Sequence, residues 1–160
     1  KLIISWDSNA QIILHGVSMG AATVLMASGE ELPENVKAII ADCGYTSEWD
    51  EFKCEANALH IPWFPVLNAA SVMSRLRDGY DFKQASALEK VKQSRIPTLF
   101  IHGSDDELVP YSMLDKLYSA AACKKECLTV NGAGHALSSS VEPELYWNTV
   151  ESFIEKYLEK

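Results

Sequence analysis

Residues 11–29, QIILHGVSMGAATVLMASG, join an aliphatic run to an alanine-rich run through the six residues HGVSMG (15–20). Gln11–His15 is continuously apolar rather than alternating, the pattern of a parallel strand covered on both faces. Ala21–Ser28 has the composition of a helix. A strand that passes this abruptly into a helix needs a tight, strained turn, and Gly16-Val17-Ser18-Met19-Gly20 is the G-x-S-x-G pattern built for one. Side chains at the two glycines are expected to collide with neighbouring backbone. Ser18 then stands at the apex, at the end of a helix whose dipole favours developing negative charge. The amide of Met19, the next residue, is expected to face a forming oxyanion.

Three further runs share the strand character of the first: Val36–Ala41, Thr98–His102 and Leu128–Val130. Helical patterns follow at Ser112–Ala122 and at Glu144–Leu158, where Leu145, Val150, Phe153, Ile154 and Leu158 recur near helical spacing. Strand–helix alternation of this kind predicts a parallel sheet with right-handed crossovers. The second connection departs from it. From Thr46 to Pro97 no strand signal occurs, and the stretch holds IPWFPVL (61–67) followed by helix-like segments at Ala69–Arg77 and Asp81–Val91. An excursion this long reads as a lid-like insertion, residues 46–96, within one domain of residues 1–160.

The 160 residues are 48% hydrophobic and 22% charged, enough to bury a core and too apolar for disorder. No apolar run approaches the ~18 residues that cross a membrane, so no stable membrane insertion of this segment is expected. Lys1–Trp6 has neither the apolar stretch nor the cleavage site of a signal peptide. A net charge of −8 argues against nucleic-acid partners, whose phosphates call for basic patches. Cys43, Cys54, Cys123 and Cys127 read as free thiols, which favours a reducing compartment and a cytoplasmic location. The Cys123/Cys127 pair has the spacing of two metal ligands, but no His or further Cys nearby completes a site.

Two loops complete the chemistry. In IHGSDDELVP (101–110) a strand ends at His102, Gly103 turns the chain, and acids follow at 105, 106 and 107. A cation site made from that acidic trio is disfavoured, because adjacent side chains diverge. In NGAGHALS (131–138), His135 sits in a glycine-rich loop after the last strand. His15 and His102 end strands and are expected to be packed, and His60 in the insertion is expected at the surface. That leaves His135 as the candidate base. The order Ser18, Asp106, His135 is the third of the known Ser-His-Asp orders, not that of chymotrypsin or subtilisin.

LHGVSMGAATVLMASG, ADCGYTS, IPTLFIHGSDDELVP and GAGHALS together resemble the α/β-hydrolase superfamily, in its bacterial esterase- and serine-peptidase-like branch, over nearly the whole chain. The G-x-x-D-x-x-V-P spacing resembles that family's acid loop and assigns the acid to Asp106. The resemblance implies an α/β fold, specifically the C-terminal half of an α/β-hydrolase: about four parallel strands flanked by helices. It implies a Ser18–His135–Asp106 triad acting on a small-molecule acyl substrate, with the Met19 amide in the oxyanion hole and neither cofactor nor metal. Tyr45, Trp49, Trp63 and Phe64 become candidate pocket residues, with aromatic packing as the ordinary alternative.

Members of that superfamily carry four or five further strands before the nucleophile strand, and one oxyanion donor comes from that earlier part. Gln11–Leu14 is therefore expected to lie at an open sheet edge, met by a missing N-terminal half or by a homo-oligomeric partner. A catalytically incompetent fragment, serving as a binding or assembly module through that edge, is the competing reading. A dinucleotide-binding unit is not supported, since GVSMG lacks the G-x-G-x-x-G pattern.

Overall fold

Four strands, β1 (Ile12–Val17), β2 (Val36–Asp42), β3 (Thr98–Gly103) and β4 (Lys125–Val130), form one parallel sheet in the order β1-β2-β3-β4. The computed structural model describes residues 2–158. The helices are α1 (Leu2–Trp6), α2 (Met19–Ala27), α3 (Glu48–Ala58), α4 (Trp63–Asp78), α5 (Ala87–Val91), α6 (Ser112–Ala120), α7 (Ser138–Val141) and α8 (Pro143–Glu155). The four aliphatic runs are the four strands, and every residue of β3 is buried, as a central strand requires.

Strand pleating sends successive residues to opposite faces, and the two faces have different covers. Ile40, Leu99 and Ile101 point to one side, where Tyr146, Val150 and Phe153 of α8 close the core. Ala41 and Phe100 point to the other, where Leu25 of α2, Val91 of α5 and Leu114 and Leu117 of α6 pack. The inward stripe of α8 is thus Tyr146–Val150–Phe153. Leu145, expected on that stripe, is instead exposed, because it precedes Tyr146 by one residue and so lies about 100° around the helix from it. The helix also ends at Glu155 rather than reaching Leu158, closing through Lys156 N–H to Phe153 O and Tyr157 N–H to Ile154 O, three residues apart.

Among the described residues β1 pairs only with β2, so it is a sheet edge. His15, expected to be packed, is exposed there, its Nε2 3.0 Å from the Tyr146 hydroxyl.

The insertion is helical, with boundaries that differ from those expected. Ser47 caps α3 by accepting from Asp50 N–H, and Glu48, Asp50 and Glu51 fill the first turn, where the helix dipole favours acids. The segment Ala69–Arg77 is the later part of a longer helix, α4. Phe64 interrupts it with an extended backbone (φ −98°, ψ 131°), because the following proline disfavours the helical region. Gly79, at φ 83°, ends it in the left-handed conformation. The expected Asp81–Val91 helix starts only at Ala87: Asp81 Oδ1 accepts from Lys83 N–H and Gln84 N–H, holding a turn, and Ser86 caps α5. An antiparallel bridge between Ser47 and Ser86, with Glu48 N–H to Ala85 O and Leu88 N–H to Thr46 O, ties the two ends together.

Glycine is indispensable at the end of β3. A Cβ on Gly103 would lie 2.1 Å from the Ala133 carbonyl oxygen, so this strand end and the loop bearing His135 touch backbone to backbone. Gly103→Ala is expected to lower unfolding free energy by about 3 kcal/mol or more in urea titration. Gly20→Ala is expected to stay within about 1 kcal/mol of the parent, since a Cβ there meets nothing within 4 Å. A tolerated Gly103→Ala would contradict the close approach.

Candidate active site

The C-terminal strand ends carry the site. Ser18 follows β1 and precedes α2 in a backbone conformation (φ 54°, ψ −117°) that non-glycine residues avoid, a strain of about 1–3 kcal/mol. Three backbone features hold it: Ser18 N–H donates to Asp42 O, Ala22 N–H donates to Ser18 O, and Gly16 lets α2 begin at once. A Cβ on Gly16 would sit 2.2 Å from Gly20 O, so the expected collision is real at Gly16. It is not real at Gly20, whose missing side chain faces open space. Met19, 71% exposed, opens α2 with its amide at the positive end of the helix dipole, where no side chain caps the helix.

His135 reaches across from the loop after β4. Its Nε2 lies 2.8 Å from Ser18 Oγ and its Nδ1 2.9 Å from Asp106 Oδ2. Asp106 Oδ1 accepts from Leu108 N–H at 3.0 Å and Val109 N–H at 2.9 Å, which fixes the carboxylate plane. Burial alone would raise this carboxyl, but hydrogen bonds from His102, His135 and Val109 outweigh it and hold Asp106 below the usual carboxylate range. An ionised Asp106 places the imidazole proton on Nδ1, leaving Nε2 to accept from the Ser18 hydroxyl. The structure thus brings together the three side chains singled out from the sequence. Asp105 and Glu107 are exposed and do not converge on Asp106.

Two sets of positioning contacts were not read from the sequence. Fully buried His102 donates from Nε2 to Val109 O at 2.9 Å, with Asp106 Oδ2 3.3 Å away, so the strand end braces the acid loop. Ser138, also fully buried, donates to Asp42 Oδ1 at 3.3 Å and anchors the far side of the His135 loop to β2. On its near side that loop is fixed by Gly132 N–H to Ser104 Oγ and Asp105 N–H to Ala133 O. The ADCGYTS stretch held the only sequence signal, an aspartate ending an aliphatic strand. His60 is exposed, as expected.

All four cysteines are free. Donor atoms of Cys43, Asp106 and His135 lie within 4.8 Å of one another, the spacing of a metal triad. The residues do not suit one: both imidazole nitrogens have partners, and burial pushes the Cys43 thiol up to about 12, away from the thiolate a metal needs. Among the aromatic candidates, Tyr45 is buried against Ala22, Val109 and Met113 rather than lining a cavity. Trp49 and Trp63 meet edge to face at 6.5 Å, and Phe64 is exposed beside Trp63.

Glu51 on α3 is 6% exposed, and its Oε2 has no hydrogen-bond partner among the described residues. Burial, with Glu55 and Asp106 nearby, pushes its carboxyl up to about 7 from 4.5. Between those values the folded state holds a proton that the unfolded chain has released, so this residue's contribution to stability falls as pH rises through that window. In Glu51→Gln the difference from the parent is expected to move in the variant's favour by about 1–3 kcal/mol between about pH 5 and about pH 8. A pH-independent difference in urea titrations would rule this out.

The parallel sheet, the crossovers and the placement of these loops define an α/β-hydrolase. More narrowly, the chain belongs to the prolyl oligopeptidase family, whose sequence pattern matches residues 5–160. It is 30% identical over 143 residues to the uncharacterized protein YqkD of Bacillus subtilis, covering 89% of this chain and 47% of that protein. It is also 30% identical over 106 residues to human alpha/beta hydrolase domain-containing protein 17C, covering 64% of this chain and 32% of that one. The chain spans about half the length, or less, of the curated relatives it matches. Among solved structures, the esterase domain of a Rhodothermus marinus protein superposes with a TM-score of 0.69 at 21% identity, covering 98% of this chain and 65% of that one. Pyrococcus horikoshii acylaminoacyl peptidase gives 0.67 at 16% identity, covering 99% and 26%. These two likenesses concern the fold. No helix among the described residues is long and apolar enough to cross a membrane.

Proposed function

We propose that this chain supplies the catalytic residues of a serine hydrolase that cleaves carboxylic esters or related acyl bonds through an acyl-enzyme. The observation that carries this reading is the continuous relay from Ser18 Oγ through the His135 ring to Asp106, with 2.8 and 2.9 Å links. In the first step Ser18 Oγ bonds to the substrate carbonyl carbon as its proton passes to His135 Nε2. Asp106 keeps the ring oriented and stabilises the imidazolium. The Met19 amide donates to the oxyanion. His135 then protonates the leaving group as the acyl–leaving-group bond breaks. Water, giving its proton to His135, next bonds to the acyl carbon, and the Ser18 Oγ–acyl bond breaks as Oγ takes that proton back, releasing the acid. The family match and the fold shared with an esterase domain and a peptidase support acyl transfer without choosing between ester and amide substrates.

Residues 46–96 act in this reading as a lid over the strand ends, closed at its neck by the Ser47–Ser86 bridge. The free side of β1 receives preceding strands of a longer protein, consistent with the chain's share of its relatives' length; a second copy is the other occupant considered. That upstream part also brings the second oxyanion donor, and removal of one such donor costs about 10²–10³ in rate.

The test is activity-based labelling of the full-length protein with a fluorophosphonate. Phosphonylation is expected on the peptide containing Ser18 and on no other serine. Labelling elsewhere, or none, would favour the assembly-module reading.

A further inference from the structure

The insertion carries an apolar surface that neither the sheet core nor the relay uses. Val66, Val72, Met73 and Leu76 recur at helical spacing on α4 and are 57%, 57%, 62% and 78% exposed, so one side of the helix is an apolar stripe. Leu59, Ile61 and Phe64 extend it past the helix start and are exposed too. An apolar groove of about 350 Å³ between α3 and α4 adjoins this end and includes Phe52 and Phe82 among its walls. A single exposed leucine calls for no explanation, whereas a contiguous face of this kind marks a contact surface.

Charge decides what it contacts. The chain has a net charge of −8, yet residues 59–77 contain no Asp or Glu. Arg75 and Arg77 close α4, and Arg77 makes only a loose pair with Asp78 at 4.0 Å. Lys53 lies over the Trp63 ring at the groove, whose wall also includes Glu55, and Lys83 lies over the Trp49 ring in a neighbouring pocket shared with Arg75 and Asp81. A second copy of this face would bring the two arginines of the stripe against each other, with Asp78 at the helix end and Glu55 in the groove wall as acids nearby. A surface of anionic headgroups answers both, with hydrocarbon below for the stripe and charge above for the arginines. The helix has 16 residues and carries two arginines and an aspartate, so it lies along such a surface and does not cross it.

We propose that α4 docks the insertion on an anionic lipid surface, with Val66, Val72, Met73 and Leu76 against the acyl boundary and Arg75 and Arg77 at the headgroups. The proposal concerns binding alone and stands apart from the role of Ser18. It is tested by sedimenting the full-length protein with vesicles of phosphatidylcholine and phosphatidylserine in a two-to-one ratio, and with phosphatidylcholine alone. The protein is expected to pellet with the mixed vesicles far more than with the neutral ones. Leu76→Glu and Met73→Glu, at solvent-exposed positions that leave the fold intact, are each expected to weaken binding roughly tenfold or more. Arg75→Gln with Arg77→Gln is expected to weaken it about thirtyfold on mixed vesicles and little on neutral ones. Lys92→Gln with Lys124→Gln, the same charge change elsewhere, is expected to leave binding as it was. No pelleting of the parent with mixed vesicles overturns the proposal, as does pelleting that Leu76→Glu leaves unchanged. A dimer in sedimentation velocity that Leu76→Glu dissolves, without vesicle binding, assigns the face to a second copy instead.

Discussion

Ester turnover by the full-length protein is expected to fall about 10⁴- to 10⁶-fold when Ser18 becomes alanine, with fluorophosphonate labelling lost altogether. The size follows from the geometry. Without Oγ no acyl-enzyme forms, and the remaining catalysis comes only from oxyanion donation and binding. The backbone adds a second signature. Ser18 sits at φ 54°, ψ −117°, so Ser18→Gly, which relieves that torsion, is expected to be at least as inactive yet more stable than Ser18→Ala. Turnover surviving either change within tenfold would remove Ser18 from the chemistry.

Asp106→Asn is expected to lower kcat about 10⁴-fold with little change in KM. Asp106 Oδ1 already accepts from Leu108 and Val109 N–H, so an asparagine there keeps its oxygen on those donors and turns its amide toward the imidazole. The amide donates where the carboxylate accepted. His135 must then accept at Nδ1 and carry its proton on Nε2, which leaves Ser18 without a base. The two N–H contacts survive, so the unfolding midpoint is expected to move far less than the rate. A fall in rate matched by loss of folded protein would instead mark Asp106 as structural.

The parts of this molecule legible in the sequence are those determined locally. β3 reads as a buried strand because Thr98–His102 is apolar throughout, and the turn at Ser18 is written in Gly16 and its neighbours. What depends on distant partners was not legible. His15 is exposed on the outer strand, although its place at a strand end reads as packed, because what covers a side chain there comes from elements distant in sequence. α3 hides its helical signal because its one fully buried position is a glutamate, Glu51, where periodicity looks for an apolar residue. His102 bracing Asp106, and Ser138 joined to Asp42 across 96 residues, arise from the closure of the strand ends and have no local signature. At Gly20 the opposite error occurred: a motif glycine looked sterically required, and the space beside it is open.

The bridge between Ser47 and Ser86 has a consequence for how such a protein changes over time. Because the chain between Ser47 and Ser86 leaves and returns at one stapled point, α3 and α4 can vary while the part of the insertion that packs on the sheet, Val91 of α5 among it, keeps its place. On the proposed function and lipid docking, selection acting on those two helices alone can retarget the molecule to new surfaces or new acyl groups while the relay is inherited without alteration.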